Sequence, residues 1–154
     1  MTDVVIRRAR VDDALVVAAL HLQYARELGL PPERGFLDRF ADTWLAAHED
    51  RPAWFAERHG EHAGVLETVR VRRLPWPGLA PATALHVDAL YVTPAHRGQG
   101  VGRALVDAMV GWAREAGVRC VRLDAPEETT RRFFSHLGFR SPRRLMELDL
   151  RTSL

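Results

Sequence analysis

One stretch, residues 84–112, constrains this chain more than any other. Leu85-His86-Val87-Asp88-Ala89-Leu90-Tyr91-Val92 reads as a strand, and Pro94 ends it. Three glycines at alternate positions, Gly98, Gly100 and Gly102, follow directly. They lead into a helix whose apolar face is Val101, Leu105, Ala108, Met109 and Trp112, closed by Gly117. Glycine lets a backbone turn tightly and approach a ligand, because no Cβ stands in the way. The helix start offers free N–H groups and the positive end of its dipole, which suit a phosphate or pyrophosphate. Arg97 and Arg103 flank the turn with permanent charge, so the segment reads as an anion cradle. It is not a dinucleotide fingerprint, whose spacing is G-x-G-x-x-G near the start of a βαβ unit.

The remaining elements follow from periodicity and breakers. Val4-Val5-Ile6 is a short β-branched run and predicts a first strand. Asp12-Asp13 precedes a helix with Leu15, Ala18, Ala19, Leu22 and Ala25 on one face, with an aspartate as N-cap or first-turn acid. Gly29 and Pro31-Pro32 stop it, and a second helix carries Phe36, Leu37, Phe40, Trp44, Leu45 and Ala47 up to about His48. Residues 53–59 and 63–72 read as a hairpin around His59-Gly60-Glu61-His62. Residues 74–81 hold three prolines and a glycine and read as a loop. Residues 118–123 are a strand, 129–137 a short helix, and 139–150 can supply one or two last strands. The order is β-α-α-β-β-β-α-β-α-β, an α/β or α+β fold with helices packed on a mixed sheet. No repeat or linker splits residues 1–154, so a single domain is expected.

Composition removes several chemistries. All 22 basic residues are arginine, since the chain has no lysine, and it has no asparagine either. Without lysine there is no Schiff-base enzyme and no Walker phosphate loop. The bias toward Ala, Arg, Gly and Val is what GC-rich codons give and points to a bacterial genome of that kind. A net charge of +2 is a weak case for nucleic acid, and no recognisable nucleic-acid module is present. The one cysteine, Cys120, forms no internal disulfide and reads as packed core. Residues 1–10 mix acid and arginine and are not a signal peptide. No run approaches the roughly 18 apolar residues of a membrane span, so a cytoplasmic location is expected. His59, Glu61 and His62 lie in the hairpin turn without further ligands, and no metal is expected.

Arg97-Gly98-Gln99-Gly100-Val101-Gly102 matches Q/R-x-x-G-x-G/A, the signature of the GCN5-related N-acetyltransferases, at every defined position. The chain resembles that family further in Leu90-Tyr91-Val92-Thr93-Pro94 before the turn, in the helix pair, in the central hairpin, and in Phe133-Phe134 through Leu137-Gly138-Phe139. The resemblance covers nearly the whole chain. It implies a mixed, mostly antiparallel sheet of six to seven strands with about four helices, and acetyl-coenzyme A as co-substrate. The backbone of Leu90, Tyr91 and Val92 is expected to pair with the pantetheine arm. The N–H groups of Gly98, Gln99, Gly100, Val101, Gly102 and Arg103 are expected to hold the pyrophosphate beside Arg97. The implied reaction is acetyl transfer to a primary amine, on a small molecule or a peptide, by direct attack. Dimers are common among similar proteins.

An attacking amine must lose a proton, so a base is needed. Strand alternation places His86, Asp88 and Leu90 on one face, and Leu85, Val87, Ala89 and Tyr91 on the other. In similar proteins an acid on this strand often serves as base. Asp88 is therefore the first candidate and His86 the second, with Glu67 on the neighbouring strand a third. The chain departs from the family pattern in its last helix. Many relatives carry a tyrosine that protonates the leaving thiolate, and the aligned residue here is Phe134. Either Ser135, His136 or a water donates, or no acid is needed, since a thiol pKa near about 8.5 lets the thiolate leave at neutral pH. Phe134 also keeps open a non-catalytic acyl-coenzyme A sensor as the alternative.

Overall fold

A computed structural model describes residues 3–151. Met1 and Thr2, where the stretch read above for a leader begins, and residues 152–154 lie outside it. The chain divides into two compact units, one ending at Leu123 and one beginning at Asp124.

The first unit is a five-stranded sheet in the order β1-β2-β3-β4-β5, flanked by three helices. Its elements are β1 (Val4–Arg8), α1 (Ala14–Glu27), α2 (Phe36–Ala47), β2 (Ala53–Arg58), β3 (Glu61–Arg72), β4 (Thr83–Val92), α3 (Val101–Glu115) and β5 (Cys120–Leu123). Neighbours are antiparallel except β4 and β5, which run parallel. That exception follows from connectivity, because β5 returns after the α3 crossover whereas β2 and β3 are joined by a tight hairpin. In that hairpin His59 and Gly60 both take positive φ, 52° and 78°, the conformation of a two-residue loop whose twist matches the strands.

Alternating residues of the central strands feed two cores. Ala53 and Phe55 of β2, Val65 of β3 and Tyr91 of β4 pack against Ala14, Val17 and Leu20 of α1 and Trp44 of α2. The intervening residues face α3: Trp54 meets Trp112 edge-on at 5.6 Å, and Leu105 and Met109 are fully enclosed. The α1 face differs from the sequence expectation. Ala14, Val17, Ala18 and Leu20 are the buried residues, while Leu15 is 63% exposed and Ala19 is also exposed. The aspartate expected to cap this helix is spent elsewhere. The Asp13 carboxylate accepts from Arg10 N at 2.6 Å and from both terminal nitrogens of Arg7, at 2.7 and 2.9 Å. The Arg7 hydrogen bonds hold its pKa below the usual carboxylate range.

The second unit contains α4 (Glu128–His136), whose Phe134 is buried between Phe133 and Phe139 at ring separations of 5.0 and 5.1 Å. The strands expected within residues 139–150 do not form, so the described residues hold five strands rather than six or seven. Alternation makes a segment able to pair, but a strand also needs an edge to pair with. Leu145, Met146, Leu148 and Leu150 are instead 70–95% exposed. No helix among the described residues is long and apolar enough to cross a membrane.

Candidate active site

The site is built around an irregularity in β4. Opposite β3, Glu67 pairs with Ala89 and Thr68 with Val87, which leaves Asp88 as an extra residue without a cross-strand partner. This β-bulge shifts the phase of alternation. Tyr91 faces α1 with Val65, while Leu85 and Val87 are buried in register with Arg70 and Thr68 on the α3 side. The alternation read from the sequence is thus corrected: Leu90 does not share a face with His86, and Tyr91 does not share one with Val87. Bulges carry no sequence signature of their own here.

Beside the bulge β4 loses its outer neighbour. β5 pairs only with residues 84–87, so residues 88–92 have no strand partner on that side among the described residues. The direction of their backbone groups follows from two contacts. Thr93 N–H donates to Ala63 O at 2.9 Å, and the Tyr91 carbonyl sits against Gly64 of β3. In an antiparallel pair successive residues turn their polar groups to opposite edges. Leu90 and Val92 therefore present theirs to the unpaired edge, an available template for an added extended chain.

The glycine turn continues this edge. Gly98 and Gly100 have φ of 69° and 81°, left-handed values that a side chain resists. They fold the chain so that α3 starts at Val101, and its first described backbone bond runs from Ala104 N to Gly100 O. The N–H groups of Val101, Gly102 and Arg103 thus precede the helix's own ladder. Gln99 closes the turn from within by donating to Ala95 O at 3.0 Å. Arg103 is exposed beside Asp107 at 3.6 Å.

Arg97 flanks the turn with its guanidinium engaged. Its Nε donates to Val92 O at 2.9 Å, and its Nη2 meets Glu27 at 2.6 Å. Tyr91 also donates its hydroxyl to Glu27, and burial followed by that bond pushes its phenol up to about 12. The Tyr91 bond, then Arg97, holds the Glu27 carboxyl below its ordinary range. This network ties the end of α1, the end of β4 and the glycine turn together.

A cavity of about 300 Å³ opens on the helix-pair side of the bulge. His21, Phe40, Trp44, Arg51, Glu67, Asp88 and Ala89 are among its walls. Glu67, the third candidate base, is 14% exposed and lies 2.5 Å from His21 Nε2. A carboxylate can only accept, so this nitrogen carries the proton. The imidazole is held from the other side by the Phe40 ring, edge-on at 5.0 Å. Asp88 reaches the same cavity, but its carboxylate pairs with Arg51 at 3.1 Å and is 40% exposed. His86, in register with Val69 and Arg122, is not among the cavity's lining residues. Away from the cavity, His62 tilts over Phe55 with its Nδ1 3.8 Å from Glu57, and Trp76 is 69% exposed in its proline loop.

His21, Arg51 and Gly64 went unread in the sequence. His21 carried a usable signal, since Val17, His21 and Tyr24 follow helical spacing on the true inner face of α1. Arg51 and Gly64 carried none.

Comparison with known proteins agrees with this geometry. The model of the Acetyltransferase (GNAT) family matches residues 18–139. An aminoglycoside N(6')-acetyltransferase type 1 from Stenotrophomonas maltophilia is 30% identical over 92% of this chain and 89% of its own. A glucosamine 6-phosphate N-acetyltransferase from Trypanosoma brucei brucei is 38% identical over 65 residues, 42% of this chain and less than half (44%) of its own length. A predicted acetyltransferase from Clostridium acetobutylicum, solved with acetyl-CoA, superposes with a TM-score of 0.75 at 20% identity, covering 96% of each chain. The chain belongs to the Acetyltransferase (GNAT) family, and its reaction is transfer of an acetyl group from acetyl-coenzyme A to an amine.

Proposed function

We propose that this protein acetylates a primary amine that enters the cavity beside the β4 bulge, with the coenzyme laid along the unpaired edge of residues 88–92. The observation that carries this reading is the adjacency of that edge to the glycine turn. Leu90 offers its N–H and carbonyl and Val92 its N–H for the pantetheine arm, and Gly98, Gln99, Gly100, Val101, Gly102 and Arg103 offer N–H groups for the pyrophosphate. Gly98 and Gly100 hold the backbone there without a Cβ between it and the ligand. The coenzyme supplies a thioester, an acetyl carbon open to attack by an amine.

This chain's residues supply the proton chemistry. The amine needs a lone pair, and the His21–Glu67 pair is best placed to take its proton. Its imidazole is fixed by Glu67 and Phe40, and a neutral imidazole can accept a proton on its other ring nitrogen. The carboxylate then faces an imidazolium, so the charge gained is compensated within the cavity. Asp88 is the second candidate, and its ion pair with Arg51 must loosen before it can act. His86 ranks behind it because it lies off the cavity wall. The Leu90 N–H, turned to the open edge, is the donor for negative charge developing on the acetyl oxygen. Phe134 donates no proton, so the thiolate leaves unaided or through water.

The acceptor class rests on the cavity and on the relatives' own substrates, both sugar-based amines; a compact polar amine fits a volume of about 300 Å³. The family match runs across the boundary at Leu123, which supports reading both units as one acetyltransferase domain. A bacterial, cytoplasmic enzyme, working as a homodimer in the manner common to similar proteins, completes the reading.

The test is thiol release with a panel of amines, together with coenzyme binding by calorimetry. Glu67→Gln and His21→Gln should each lower kcat by about 100-fold or more, the scale of general-base catalysis, with acetyl-coenzyme A affinity within twofold. Full rates in both, with a loss in Asp88→Asn, would move the base to Asp88. Coenzyme binding with no thiol release on any amine would favour the sensor reading.

A further inference from the structure

A second cavity, of about 690 Å³, lies at the far end of the sheet where β1 and β3 terminate and the chain turns into β2. Its walls include Arg7, Arg8, Arg10, Arg51, Arg70 and Arg72, against a single acid, Glu49. Arg7, Arg51 and Arg72 are each neutralised by a carboxylate: Asp13, Asp88 at 3.1 Å, and Asp50 at 3.0 Å. Arg8, Arg10 and Arg70 form no ion pair among the described residues.

Two of these three are held close to one another. The Arg8 and Arg70 guanidinium carbons lie 4.6 and 5.3 Å from the same Trp112 ring centroid. Stacking on an indole positions a guanidinium but does not cancel its charge. The strain is visible in Arg8, whose pKa is lowered first by burial and then by the charge of Arg70. Like charges converging without a carboxylate are stabilised by an outside anion, and guanidinium forks match a phosphate's oxygens two at a time.

We propose that this cavity is a binding site for a phosphate monoester, held by Arg8, Arg70 and Arg10. Three unpaired arginines against one glutamate leave an excess of two positive charges, which fits a phosphate dianion. The volume exceeds what one phosphate fills, so the group arrives on a larger body. Trp44 and Arg51 belong to the walls of both cavities, so the phosphate comes either on the acceptor amine or on a separate small molecule bound next to it. The site does not depend on the acetyltransferase reading, and its binding test needs no turnover.

The test uses the full chain saturated with coenzyme A, so that the glycine turn is already occupied. Inorganic phosphate is titrated at constant ionic strength, read by calorimetry and by tryptophan fluorescence, which senses Trp112. Saturable binding is expected, weakened at least tenfold in both Arg8→Gln and Arg70→Gln and unchanged in Arg131→Gln. Arg70→Gln carries the result if thermal melting shows that Arg8→Gln is misfolded. No saturable binding, or equal binding in Arg70→Gln, overturns the proposal. A second arm compares kcat/KM for glucosamine 6-phosphate and glucosamine. A preference for the phosphorylated amine that falls tenfold in Arg70→Gln places the phosphate on the acceptor. Lost phosphate binding with an unchanged ratio places it on a separate ligand.

Discussion

Gly64→Ala is the sharpest probe of how β4 is held. A Cβ built at residue 64 would lie 2.6 Å from the Tyr91 carbonyl oxygen, with Leu105 Cδ1 and Val92 Cα both at 3.4 Å. The first distance falls about 0.8 Å or more short of ordinary contact, and the atom it meets is backbone, which cannot swing aside. Relief requires β3 and β4 to separate at the point where Leu90 and Val92 face the open edge. Overpacking of this kind costs about 1–3 kcal/mol. With about 2.1 cal/mol/K of unfolding entropy per residue, 154 residues convert each kcal/mol into about 3 °C. The expected fall in Tm is therefore about 3–9 °C by calorimetric melting, with coenzyme affinity reduced several-fold because the edge has moved. A Tm within 1 °C of the parent, with unchanged coenzyme binding, would refute the close approach and the edge geometry derived from it.

Gly100→Asp should abolish measurable coenzyme binding in a calorimetric titration, since residue 100 has φ 81° and a carboxylate there would repel the pyrophosphate at the site proposed for it. Leu105→Ala empties a fully buried position between α3 and the sheet and should cost about 2–5 kcal/mol by urea denaturation. Asp13 has a folded pKa below its unfolded value, so its contribution is present above the unfolded pKa and lost as pH falls through the folded one. Asp13→Asn should flatten the acid limb of the urea midpoint against pH. Tyr91 has a raised pKa, so its stabilisation holds below about 10 and is lost as pH rises through about 12. A difference absorbance titration of the parent against Tyr91→Phe should show one phenol ionising near 12.

Local pattern carried much of this protein. The strand through Val92, the glycine turn and the amphipathic α3 stand where periodicity and breakers place them, because each is decided by residues near in sequence. Phe134 was legible as an aromatic without a proton to give. The face of α1 was misread because leucine and alanine are spread around that helix, and only contact with Phe55 and Val65 selects Val17 and Leu20. The strands expected after Phe139 failed for the converse reason, an alternating pattern without an edge to join.

The glycine turn, the lysine-free chemistry and the order of elements through α4 were determined by the sequence alone, since backbone freedom, missing amines and hydrophobic period are local properties. The Asp88 bulge, the unpaired edge of β4, the meeting of His21 with Glu67 and the convergence of Arg8 and Arg70 on Trp112 were decided only by tertiary structure. Each depends on register between strands or on contacts across 42 or more residues of chain, and no local energy term encodes those.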